Sequence, residues 1–167
     1  MSKMYKDTYY INIIKDILDN EEFNKIKYIE HHGTTRFLHS MRVAYYSYKI
    51  SKAFRLDYKE VARAGLLHDF FISDMERTTK DRILSTFTHP KYAVETASKY
   101  FELNDKEQDI IKSHMFPLYI SIPKYAESWV VSLVDKVVGM GEFLLHFRYK
   151  FSYAFNIYIL FFISIIK

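Results

Sequence analysis

Apolar residues recur along most of this chain at steps of three and four, the spacing of one face of an α-helix. Ile11, Ile14, Ile17 and Leu18 fall on such a face, so residues 8–20 are predicted to form an amphipathic helix. The stretch EEFNKIKYIEHHG predicts a second, short helix ended by Gly33. From Thr35 to Ala53 there is neither proline nor glycine, and His39, Val43, Tyr46 and Ile50 share one helical face. Asp57 followed by Glu60 has the spacing of a capping box, with Asp in place of Ser or Thr, and opens a helix through Val61, Ala64, Gly65 and His68.

Residues 71–88 keep no clean period and predict a connection with a short helical piece, the segment best placed to act as a lid or to face a substrate. Pro90 suits the first turn of a helix, which puts His89 at that helix's N-terminus. Asn104 with Glu107 repeats the cap spacing and opens a helix through Ile110 and Ile111 to His114. Pro117 and Pro123 interrupt the stretch after His114. From Ala126 to Val138, AESWVVSLVDKVV predicts a valine-rich helix with a solitary Asp135 among apolar neighbours. The pattern is that of an all-α, single-domain bundle of six or seven helices over residues 1–148. Residues 149–167 form an apolar C-terminal tail, expected to pack on the domain, in a homodimer, or at a membrane. Its run from Phe151 to Ile166 is shorter than the roughly 20 residues that span a bilayer.

Composition agrees with this picture and narrows the chemistry. A chain of 167 residues with 49% hydrophobic and 18% aromatic residues can bury a core, and four glycines with three prolines are too few for an all-β fold with many tight turns. The absence of cysteine excludes disulfides, thiolate metal sites and a cysteine nucleophile, so any metal must be held by His, Asp or Glu. The formal charge of +4 comes from 24 basic residues interspersed with 20 acidic ones, a solvated surface with no nucleic-acid footprint. The N-terminus lacks the continuous apolar segment of a secretory signal, so a cytoplasmic protein is expected.

Six metal-capable residues fall on apolar faces or helix ends: His39, His68, Asp69, His89, His114 and Asp135. Burying each alone would require its own hydrogen-bonding solution, because an unpaired polar group in the interior costs free energy. One shared metal centre satisfies them together. Imidazole and carboxylate donors suit iron, manganese, cobalt, nickel or zinc, and a carboxylate, with two oxygens, can bridge two ions.

The order H…HD…H…H…D, carried by RFLHSMRVA, AGLLHDFF, FTHPKYA, IIKSHMFP and SLVDKVV, resembles the HD-domain superfamily of metal-dependent phosphohydrolases over about residues 32–140. In the six-ligand branch that the resemblance points to, His39, His68 and Asp135 would hold one divalent ion, His89 and His114 a second, and Asp69 would bridge them, with His68 and Asp69 at the catalytic centre. The implied activity is hydrolysis of a phosphoester or phosphoanhydride of a nucleotide or other small phosphorylated metabolite. This branch is similar to bacterial diadenosine tetraphosphate hydrolases and cyclic-dinucleotide phosphodiesterases. Two cations can polarise phosphoryl oxygens and activate water, so no protein nucleophile is required. Alternatives are a non-catalytic module that binds a nucleotide or metal, a mononuclear nucleotidase, and a mixed-iron oxygenase. Cations near the ligands are candidates for phosphate contact: Arg36 and Arg42, one turn either side of His39, then Lys80, Arg82 and Lys136, with His32 a further one. His31 and His146 are expected to be structural or on the surface.

Overall fold

The fold is given by a computed structural model, which describes residues 2–31, 33–71 and 79–166, and leaves aside the side chains of residues 2, 31, 79–87, 154–156 and 158–166. The expected N-terminal helix is broken. After a short α1 (Ser2–Lys6) it runs as α2 (Thr8–Ile13) and α3 (Lys15–Leu18), because Ile14 leaves helical geometry at φ −106° and ψ 10°. Of its expected apolar face, Ile14 and Ile17 are fully buried and Ile11 and Leu18 partly so, with Tyr10 fully buried beside them. Two of the starts have their own caps: Asp7 accepts from the Tyr10 N–H, and Asn20 from the Phe23 N–H at the head of α4 (Glu21–Asn24).

The second helix ends earlier than expected. After α4 and a 3-10 turn (Lys25–Tyr28) the chain extends into a two-stranded antiparallel ribbon, β1 (Glu30–His31) and β2 (Thr34–Thr35), pairing Glu30 with Thr35 and His31 with Thr34. Gly33 is therefore a hairpin glycine and not a helix stop. Its φ of +82° is in the left-handed region, and a Cβ there would lie 2.4 Å from the His146 ring.

Thr35 caps α5 (Arg36–Ala53) by accepting from the Leu38 N–H. The buried stripe of α5 runs through His39, Ser40, Val43, Ala44, Ser47 and Ser51, whereas Tyr46 and Ile50 lie at its exposed margin. Small residues occupy the middle because α6 (Tyr58–Leu67) comes so close: a Cβ on Gly65 would be 3.1 Å from the Ala44 Cα. At the start of α6 the Asp57 side chain makes no cap, and the Asp57 N–H is instead taken by Glu127 at 3.1 Å. The capping box at Asn104 and Glu107 does form, with both reciprocal bonds, and opens α8 (Asp105–Ser113).

Between them lies α7 (Thr79–Tyr100), which contains Pro90 in its interior. Proline was expected in a first turn. Instead helix extends over ten residues or more before it, so the described part of the expected connection, from residue 79 on, is helical; residues 72–78 lie outside the described residues. The chain ends in α9 (Ala126–Ile166), 41 residues and about 60 Å at 1.5 Å per residue. It shows no break near residue 148. Its first turns bury Ser128, Val131 and Val134 against α5, α6 and α8. Farther on, Leu133, Val137, Met140, Leu144, Phe147 and Phe151, each more than half exposed, repeat at steps of four and three. Tyr149, Tyr153 and Ile157 are exposed as well. Among the described residues no helix is long and apolar enough to cross a membrane. The all-α bundle holds; the described helices outnumber the expected six or seven because the N-terminal segment is split into short pieces.

Candidate metal centre

Five helices converge on one buried cluster. His39 comes from α5, His68 and Asp69 from the end of α6, His89 from inside α7, His114 from the end of α8 and Asp135 from α9. His39 Nε2 lies 3.0 Å from Asp135 Oδ1, and His68 Nε2 lies 3.5 Å from the same oxygen. His89 Nε2 lies 3.2 Å from Asp69 Oδ1 and 2.9 Å from His114 Nε2. Three groups have ligand atoms within 4.8 Å of one another: His39, His68 and Asp69; Asp69, His89 and His114; and His68, His114 and Asp135. All six residues expected to ligate are thus brought together, and Asp69 is common to the first two groups.

The local fold prepares these rings. His68 and His114 each follow the last turn of a helix, where carbonyls lack partners, and each accordingly turns Nδ1 onto the carbonyl three residues back, Gly65 at 2.8 Å and Ile111 at 2.6 Å. A carbonyl only accepts, so Nδ1 carries a proton in each ring and Nε2 is the atom turned into the cluster. His68 Nε2 is buried and makes no hydrogen bond of ordinary length. Such an uncompensated nitrogen beside two carboxylates and three further imidazoles fits a divalent cation, and the all-N,O donor set suits the late first-row metals.

Electrostatics follow from burial and these contacts. Burial, followed by the nearby His68 and His89, holds His114 down to about 3, the neutral state that a ligand needs. Burial also opposes charge on His39, but hydrogen bonds to Asp135 and Glu142 outweigh it and raise the ring to about 10. For Asp135, burial is likewise outweighed by the hydrogen bond to His39 and by the His68 and His114 rings beside it, which hold the carboxyl well below the usual range.

The cations nominated for phosphate contact are mostly engaged by the protein. Arg36 is buried, donates to the Phe71 carbonyl, and has its guanidinium 3.8 Å from the centre of the Phe71 ring, which stacks in turn on His89. It borders the cluster. Arg42 pairs with Glu142. Lys136 donates to the His114 and Ser132 carbonyls and to the Ser132 hydroxyl, tying the end of α8 to α9. The side chains of Lys80 and Arg82, and all of His32, lie outside the described residues. His146 packs over Gly33.

Sequence reasoning missed two carboxylates. Glu142, seven residues after Asp135 and hence on the same helical face, accepts from His39 Nδ1 at 2.8 Å. Asp109 accepts from the Lys124 N–H and the Ser128 hydroxyl, fixing where α9 begins relative to His114. Spacing alone could have flagged Glu142; Asp109 carried no such signal.

The sequence model of the HD domain matches residues 36–140, the stretch that contains all six clustered residues. No curated protein and no solved structure matches the chain. With the match covering more than half of its length, the chain belongs to the HD domain family.

Proposed function

We propose that the protein is a dinuclear metal-dependent phosphohydrolase acting on a small phosphorylated metabolite such as a nucleotide. The observation that carries this reading is the position of Asp69, whose carboxylate belongs at once to the His39–His68 group and to the His89–His114 group. On this reading His39, His68 and Asp135 would hold one cation and His89 and His114 the other, with Asp69 available to both. Divalent ions so held supply Lewis acidity to a phosphoryl oxygen and make water a competent nucleophile near neutral pH.

The chain's own residues do the remainder. The Nδ1–H bonds of His68 and His114 to their own helices fix ring orientation before any ligand arrives, which lowers the cost of assembling the site. Asp135 and His89 retain some exposure, so substrate approaches along their side. Arg36, stacked on Phe71 beside His89, is a described cation on that side and would steady phosphate charge there.

A second reading is a metal-binding module without hydrolytic activity. It is favoured by the engagement of Arg42 and Lys136 with protein groups, which leaves few described cations for phosphate. The two readings part in a phosphate-release screen of nucleotides and sugar phosphates run with manganese, cobalt, nickel, iron and zinc. The hydrolase reading expects metal-dependent release abolished by chelation. Stoichiometric metal binding with no release from any substrate favours the module.

A further inference from the structure

His39 differs from the two cluster histidines that lean on their own helices. His68 and His114 rest Nδ1 on backbone carbonyls, whereas His39 rests Nδ1 on a carboxylate, Glu142 Oε2 at 2.8 Å. Glu142 stands two helical turns beyond Asp135 on α9, so one helix presents two carboxylates to opposite edges of the same imidazole: Asp135 at Nε2 and Glu142 at Nδ1. Both oxygens of Glu142 are in use, because Oε1 accepts from Arg42, one turn after His39 on α5. Glu142 is buried and its rotamer is thereby fixed from two sides.

We infer that Glu142 is a positioning residue for the metal centre, acting through His39, and that Arg42 serves to hold Glu142 and does not contact phosphate. The inference rests on the metal-binding part of the proposed function. An ionised carboxylate can only accept, so it fixes the His39 proton on Nδ1 and leaves Nε2 as the ligand atom. It also donates electron density that a carbonyl cannot match, making His39 the stronger base toward a cation. Outer partners of this kind contribute roughly 10- to 100-fold to metal affinity. The pair Arg42–Glu142 also joins α5 to α9, so a purely structural role is the competing explanation.

Glu127 separates the two. It too is a buried carboxylate on α9, and it ties helices together through the Asp57 N–H and Lys106, away from the cluster. Zinc and manganese affinities are to be measured by calorimetric titration for the wild type, Glu142→Ala, Glu142→Gln, Arg42→Ala and Glu127→Ala, with melting temperatures of the metal-free proteins alongside. Glu142→Ala should weaken binding roughly 10- to 100-fold. Glu142→Gln, whose amide oxygen still accepts from Nδ1, should recover part of it, and Arg42→Ala should show a smaller loss in the same direction. Glu127→Ala should lower the melting temperature and leave affinity unchanged. In the zinc-loaded wild type a low-field Nδ1 proton of His39 should be visible by NMR and vanish in Glu142→Ala. Glu142 variants that bind like the wild type, or a Glu127→Ala loss of affinity equal to that of Glu142→Ala, would overturn the positioning role while leaving the metal centre intact. A wild type that binds neither metal would overturn the metal reading and the positioning role together.

Discussion

Phe70 and Phe71 follow Asp69 directly, and the fold assigns them opposite tasks that substitution can separate. Phe70 is fully buried and packs against Phe23 at 5.4 Å, Tyr100 at 6.0 Å and Phe101 at 6.2 Å between ring centres. Truncating such a ring removes its transfer free energy and leaves a cavity, together about 3–5 kcal/mol. Phe71 is only half-buried, so Phe71→Ala should cost about 1 kcal/mol of burial plus about 0.5–1 kcal/mol from the stacked Arg36. With a urea dependence of about 2 kcal/mol per molar, the unfolding midpoint should fall by roughly 2 M for Phe70→Ala and by under about 1 M for Phe71→Ala. Metal affinity should order the other way, since Phe71 supports His89 while Phe70 supports only the core. Phe70→Leu supplies a folded reference if the alanine variant is too unstable to study. Equal midpoints for the two alanine variants, or a loss of metal binding confined to Phe70→Leu, would refute the division.

Gly33→Ala should destabilise by about 1–3 kcal/mol through its left-handed backbone and a collision with the His146 ring; adding His146→Ala should relieve only the steric part, as read from melting temperatures. Asn104→Ala should cost about 1 kcal/mol by removing the capping box of α8, measured by urea unfolding. The exposed apolar seam of α9 repeats with the period of a coiled-coil stripe, so the full chain should self-associate through it. Light scattering should then give more than the monomer mass for the wild type and the monomer mass for Leu144→Glu with Phe147→Glu; a monomeric wild type would contradict this.

Periodicity made most helices legible because it records which side of an element faces the core. It misjudged the centre of α5, where Ser40, Ala44, Ser47 and Ser51 are buried because they are small and let α6 approach, while Tyr46 and Ile50, chosen for their apolarity, sit at the rim. Pro90 misled for a related reason: the local rule places proline in a first turn, and α7 accepts it inside. The capping box was legible at Asn104, where both partners are local, and not at Asp57, whose N–H is satisfied from α9 by Glu127. The six clustered residues were legible because buried polar groups on apolar faces need a shared explanation. Of the carboxylates behind them, Glu142 was marked only by its seven-residue step from Asp135 and Asp109 not at all, because a carboxylate on a partly polar helix face looks like a solvated charge until the neighbouring helix is in place.

The most direct test of the dinuclear centre is the metal content and phosphate release of Asp69→Asn, measured alongside the wild type. Asparagine keeps the size of the side chain but removes its charge and much of its capacity to bridge the two histidine pairs. A bridging Asp69 predicts two divalent ions per chain in the wild type, at most one in Asp69→Asn, and hydrolysis reduced by orders of magnitude with the melting curve of the metal-free protein little changed. An Asp69→Asn protein that retains the wild-type metal content and near-normal phosphate release would contradict it.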